Sequence, residues 1–137
     1  SEQIMTQWGS GYTVSPDISL VSGIPNSDIV DFVFNKNAKD VKEIRYSLVY
    51  DQKKLQFGEN LSHFEGCSID TQQVNPLLLS VALTCNKSQD FEKDMPIISH
   101  TITHINNSKD AVINIVSIEF TTKDGSVYEL AGKSKVY

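Results

Sequence analysis

Catalysis or metal binding in this chain would have to begin with its three histidines, His63, His100 and His104. Two of them fall in 97-IISHTITHI-105, on the same face as Ile98 and Ile102. Four residues along an extended strand separate them by about 13 Å, too far to share one metal ion. A nucleophile, its base and an orienting group can come from distant positions, so spacing alone does not exclude a triad. The chain nevertheless holds no GxSxG, HExxH, phosphate-loop or GxGxxG pattern. The carboxylates Asp28, Asp31, Asp40, Glu43 and Asp51 are of the type that serve as paired acid and base in glycosidases. In β-rich sequence they read more simply as strand-end and solvent-facing charges. The expectation is a protein without catalytic residues, metal or cofactor, whose imidazoles are partly buried or at the surface.

The two cysteines, Cys67 and Cys85, yield to a register argument. If 63–69 and 79–85 form a hairpin around Asn75-Pro76, the paired residue numbers sum to about 152, which sets Cys67 opposite Cys85. A disulfide is then geometrically reasonable and would stabilise the domain by about 3 kcal/mol. The alternative is a pair of buried thiols in a reducing compartment. Only His63 lies near enough in sequence to join them, so a zinc site is not expected.

Aromatic rings raise a second possibility, because sugar-binding sandwiches stack exposed rings on pyranose faces. Trp8 and Tyr12 in 7-QWGSGY-12 would form such a platform, or belong to an arm or strand packed on the body of the domain. Tyr46, Tyr50 and Phe57 read as core or core-edge residues.

A length of 137 residues corresponds to one domain with one core. The net charge of -5, with lysines scattered singly or in pairs, argues against nucleic acid, which requires concentrated Lys and Arg. No apolar run approaches the roughly 20 residues that span a bilayer, and no membrane insertion is expected. The opening SEQIMTQWGSG lacks the basic and apolar regions of a signal peptide, which suits a mature or excised domain.

The elements that would position these residues are strands. Apolar residues recur with a period near two in 28-DIVDFVFN-35, and in 111-AVINIVSIEFTT-122. In the latter, strict alternation puts Val112, Asn114, Val116, Ile118 and Phe120 on one side and Ile113, Ile115, Ser117 and Glu119 on the other. The one helix-like stretch is 38-AKDVKEIRYSLVY-50, with Val41, Ile44 and Leu48 at helical spacing. The alternation of Tyr46, Leu48 and Tyr50 favours a strand there. Strands are expected at 18–21, 28–35, 41–50, 55–57, 62–69, 77–84, 96–105, 111–122, 126–130 and 133–137. Turn residues separate them, and Asp124-Gly125 is the strongest hairpin signal. The pattern predicts an all-β antiparallel sandwich or jelly roll over residues 18–137, preceded by an N-terminal arm or first strand at 1–17.

The segment 28-DIVDFVFNKNAKDVKEIRYSLVYDQKKLQF-57 resembles the opening of a bacterial cohesin domain. In that family a strand ends in Tyr-Asp and a corner, usually Tyr-Asp-Pro-x-x-Leu, returns a leucine to the core; here the corner is Tyr50, Asp51 and Leu55. The later strand order agrees over most of residues 18–137. Independently of the family, Asp51 should accept hydrogen bonds from the amides that follow it, and the Tyr50 hydroxyl should reach polar backbone.

The resemblance implies a jelly roll of about nine strands and a docking function. Cohesins hold the dockerins of cellulosomal enzymes on one sheet face, and the calcium belongs to the dockerin. Scaffold cohesins carry an Asn and an Asp eight and six residues before the corner aspartate; Glu43 and Arg45 occupy those positions here, and a disulfide is not typical of that group. Glu43, Arg45 and Ser47 therefore mark the expected binding face, for a partner other than the ordinary dockerin. The leading expectation is a non-catalytic, cohesin-like interaction module of a secreted, cell-surface or periplasmic protein. It would dock a dockerin-like or surface-assembly component in an adhesion or secretion assembly. Two alternatives stay open: a carbohydrate- or receptor-binding adhesin module using Trp8 and Tyr12, and a pilus-associated subunit whose first sixteen residues act as a donor strand.

Overall fold

A computed structural model describes residues 14–20, 27–132 and 134–137. Ten strands follow in chain order: β1 (Val14–Leu20), β2 (Ser27–Phe34), β3 (Ala38–Tyr50), β4 (Leu55–Ser62), β5 (Cys67–Asn75), β6 (Leu78–Phe91), β7 (Ile98–His104), β8 (Val112–Thr122), β9 (Val127–Leu130) and β10 (Ser134–Val136). They form two antiparallel sheets, β1-β2-β7-β4 and β10-β8-β3-β6-β5, with β9 also paired to β8. The architecture is the expected all-β jelly-roll sandwich. Among the described residues ten strands stand where about nine were expected, because β9 and β10 divide the length of β8 between them. Residues 14–17, expected in an arm or first strand, run in β1 against β2.

Alternation sends Val30, Phe32 and Phe34 of β2 inward against Ile44, Tyr46 and Leu48 of β3 and Ile113, Ile115 and Phe120 of β8. The Phe32 ring stacks on Tyr46 with centroids 4.2 Å apart, and Phe34 lies 5.7 Å from Phe120 and 6.1 Å from Phe91. Each of these rings, fully buried, contributes roughly 2–3 kcal/mol through area removed from water.

Two bulges correct the alternation read from sequence. On β8, Ser47 of β3 faces Val116 but Arg45 faces Glu119, so one extra residue enters between them, and Ser117 takes a left-handed φ of 53°. Ile113 and Ile115 consequently point inward before the bulge, and Ile118 and Phe120 after it. On β3, register shifts between Ala38 and Glu43 accompany a left-handed Asp40, φ 57°. The buried residues Ala38, Val41 and Ile44 are then three apart, which is why the segment imitates a helix.

The strands expected at 55–57 and 62–69 are also redrawn. Leu55–Ser62 is one strand carrying a bulge between Phe57 and Asn60, and a turn at residues 63–66 ends in Gly66 at φ 81°. The chain re-enters the sheet at Cys67, directly opposite Cys85, and a disulfide joins the two as the register argument required. β6 runs seven residues past the expected end at 84, because its polar second half, from Asn86 to Asp90, pairs with the start of β3.

Candidate functional site

The outer face of the larger sheet is built by residues that alternate with the core. On β3, Ile44, Tyr46, Leu48 and Tyr50 point inward, so Arg45, Ser47 and Val49 point out. Cross-strand register then fixes a row across five strands: Asp70 of β5, Ala82 of β6, Arg45 of β3, Glu119 of β8 and Glu129 of β9. Opposed residues in adjacent strands share a face, so this row sets one cation among three carboxylates. Glu43 adds a fourth, bonding the Arg45 guanidinium directly. That hydrogen bond and the charge of Glu43, with a smaller contribution from Glu119, raise the Arg45 pKa above its ordinary value. The Arg45 side chain stays 61% exposed.

The other half of the sheet, with its adjoining turns, carries most of the exposed aliphatic side chains. Of six large hydrophobic side chains left exposed among the described residues, five lie there: Val74, Leu77, Val112, Val116 and Val136. Val112 pairs with Val136, Val49 with Leu78, and a shallow groove between them is lined by Val49, Leu77, Val112 and Asn114 together with the charged Asp51, Lys53, Lys54 and Asp110 of the adjoining turns. Ser134 donates a hydrogen bond to Asn114 at its edge. Glu43, Arg45 and Ser47, singled out from sequence, thus belong to one surface. Strict alternation put Val112 and Val116 on one side with Ile118 and Phe120; the phase shift at Ser117 separates them and moves the two valines onto this face.

The corner lies at the end of β3. The Lys53 amide donates to Asp51 Oδ1 at 2.8 Å, and the Lys54 and Leu55 amides donate to the Asp51 carbonyl at 3.0 Å. Leu55 is buried. The Tyr50 hydroxyl donates at 2.9 Å to the side-chain Oε1 of Gln73 on β5, where backbone was expected.

The histidines are dispersed into three separate hydrogen-bonded sets. His100 is fully buried, where a surface or partly buried ring was expected. Tyr46 donates to its Nε2 at 2.6 Å, its Nδ1 donates to Asn60 Oδ1 at 2.5 Å, and burial lowers its pKa to about 4. His104 Nε2 bonds Asp28 Oδ2 at 3.0 Å at the end of the sandwich. On the outside of the smaller sheet, the Ser99 hydroxyl donates to Asp31 Oδ1 while its oxygen faces His63 Nε2, both at 2.5 Å. A catalytic serine points its proton at the imidazole; here the hydroxyl keeps its proton and directs it to the Asp31 carboxylate, which leaves the imidazole to face the hydroxyl oxygen as donor. No three His, Cys, Asp or Glu side chains among the described residues converge as metal ligands. Trp8 and Tyr12 lie outside the described residues.

No protein-family model matches the chain, and no curated protein matches it in sequence. Solved structures do match in shape. A cohesin module from a Clostridium perfringens family 33 glycoside hydrolase superposes with a TM-score of 0.76 at 14% identity, over 91% of this chain and 93% of that one. The fold is that of a cohesin. A non-cellulosomal cohesin from the archaeon Archaeoglobus fulgidus gives 0.62 at 16% identity, over 91% and 86% of the two chains. The sixth cohesin of Acetivibrio cellulolyticus scaffoldin B, solved in complex with a dockerin, gives 0.59 at 13% identity, over 88% and 99%. Within this cohesin-like sandwich, Glu43 and Arg45 fall on the strand that centres the larger sheet.

Proposed function

We propose that this chain is a non-catalytic docking module that seats a protein partner on the outer face of β8, β3, β6 and β5. The observation that carries the reading is the division of that face into an apolar half and a charged row through Arg45. An apolar patch edged by ionic groups is the composition of protein interfaces, in which buried aliphatic contacts supply affinity and charges set the register.

The charged half favours a partner that brings cations. Four carboxylates surround one guanidinium, and Glu119 and Glu129 stand directly opposite each other, an arrangement that costs stability until a positive charge meets it. The partner is a dockerin-like module, or another component of a surface or secretion assembly, with basic side chains directed at Glu119 and Glu129. The Cys67–Cys85 disulfide supports a secreted, cell-surface or periplasmic setting.

The test is calorimetric titration of this chain with dockerin modules that differ in the charge of their contact surface. Basic modules should bind, Arg45→Glu should alter selectivity among them, and Val116→Asp should abolish heat of binding while the fold persists. Equal behaviour of both variants and the parent across the series would overturn the reading.

A further inference from the structure

Sheet edges offer unpaired backbone to other chains, and three of the edges here are blunted. β1 carries Pro16 and Asp17, β4 is bulged beside Glu59, and β9 and β10 are only four and three residues long. β5 is different. It runs nine residues with no Pro, Lys or Arg, and keeps unbroken register with β6 from Cys67 to Gln73.

The hydrogen-bonding phase of β5 identifies which groups face outward. The Cys67 and Cys85 Cα atoms are 4.0 Å apart, the close spacing of a non-hydrogen-bonded pair, and the neighbouring Asn86 amide donates to the Gly66 carbonyl at 2.8 Å. Alternation from there commits Ser68, Asp70 and Gln72 to β6. It leaves the N–H and C=O of Ile69, Thr71 and Gln73 on the open side, and among the described residues no strand pairs with them.

We propose that this edge binds the β5 edge of a second copy of the chain, antiparallel about a twofold axis at Thr71. In that register Ile69 meets Gln73 of the other copy and Thr71 meets Thr71, so all three outward residues exchange both of their hydrogen bonds. Asp70 meets Gln72, whose amide can donate to it, and Thr–Thr is a favourable cross-strand pair. Sliding two residues one way puts Asp70 against Asp70 and calls on the Cys67 amide, which already donates to Phe64 O. Sliding the other way calls on Asn75, beyond the register shift that follows Gln73. The strand therefore complements itself best in one register. The contact is isologous and closed, and it joins two large sheets edge to edge, so that two copies of the outer face lie on one continuous surface.

A single strand pair buries little area, and association is concentration-dependent. Sedimentation velocity of the full, disulfide-bonded chain from about 10 μM to about 1 mM, spanning the range of weak affinities, should show conversion from monomer to dimer. Thr71→Pro removes an outward N–H that the monomer does not use, and should keep the chain monomeric at every concentration. Gln72→Glu sets a carboxylate against Asp70 of the other copy; it should weaken dimerisation at least tenfold at low salt, with recovery at high salt. Circular dichroism verifies that each variant is folded, and Gln72→Glu decides the matter alone if the proline variant is not. A parent chain that stays monomeric throughout overturns the proposal, as does a dimer that Gln72→Glu leaves unchanged.

Discussion

The Tyr46 hydroxyl donates to Nε2 of His100 across the centre of the sandwich, so that one buried hydrogen bond ties β3 of the larger sheet to β7 of the smaller. With Nδ1 donating to Asn60, both ring nitrogens are satisfied by a neutral imidazole. A second proton would have to enter at Nε2, where it would displace the tyrosine donor, and burial of the ring disfavours the charge.

This arrangement sets a pH dependence. Unfolding exposes His100 and restores its ordinary pKa of 6.5, while the folded value is about 4. Between those values the unfolded chain binds a proton that the native chain does not, so stability rises with pH across that window. The contribution is fully present above about pH 6.5 and is lost as pH falls toward 4, amounting to about 3 kcal/mol. Urea unfolding of the parent and of His100→Gln at pH 7, 5.5 and 4 measures it. The parent should lose more stability than the variant over that range, and equal losses would refute the assignment.

Much of the fold is legible because alternation is a local signal. The Cys67–Cys85 register needed only the hairpin at Asn75-Pro76, and the corner followed from Tyr50, Asp51 and Leu55. What escaped was set by bulges. A residue inserted at Ser117 or near Asp40 reverses the inward and outward assignment of everything beyond it, and neither position carries the glycine that would mark a left-handed backbone most plainly. The exposed half of the candidate site was hidden for that reason: Val112 and Val116 share a parity with Ile118 and Phe120 in sequence but not in space. The Tyr46–His100–Asn60 set was illegible for another reason, since its members come from three strands and 54 positions separate the first two.

Ser117 carries the strain of the β8 bulge. Its φ of 53° is a region that glycine occupies freely and a β-branched residue does not. Ser117→Gly should stabilise the domain by up to about 1 kcal/mol, and Ser117→Val should cost about 1–2 kcal/mol. Chemical denaturation gives both values. A valine tolerated without loss would mean that the bulge relocates.

The disulfide closes a loop between residues 18 apart in sequence. Replacing both cysteines by serine frees the β5–β6 hairpin in the unfolded chain and should lower stability by about 3 kcal/mol. Because the remaining β5–β6 ladder and the Tyr50–Gln73 hydrogen bond still hold the strand, the variant should fold in the cold and melt early. Thermal unfolding followed by circular dichroism, with and without reductant, separates the parent from the variant. Insensitivity of the parent to reductant during unfolding would count against a stabilising role.

Corner and face should respond oppositely to substitution. Asp51→Ala removes the acceptor of the Lys53 amide and leaves the turn to be held by backbone alone, a loss of about 0.5–1.5 kcal/mol. Its side chain is exposed at the sheet end, on the rim of the Val49–Leu77–Val112 groove and away from the Asp70–Arg45–Glu119–Glu129 row, so partner affinity should fall about threefold at most. Arg45→Glu does the reverse. Arg45 is mostly solvated, so its ion pair with Glu43 contributes about 0–1 kcal/mol to folding, yet the substitution replaces the cation of the row with a further carboxylate. Melting temperature should fall for Asp51→Ala and hold for Arg45→Glu, while affinity for a bound partner should change about threefold at most for the first and at least about tenfold for the second. If both variants shift affinity together, the corner is part of the interface, and the division between scaffold and recognition drawn along β3 is misplaced.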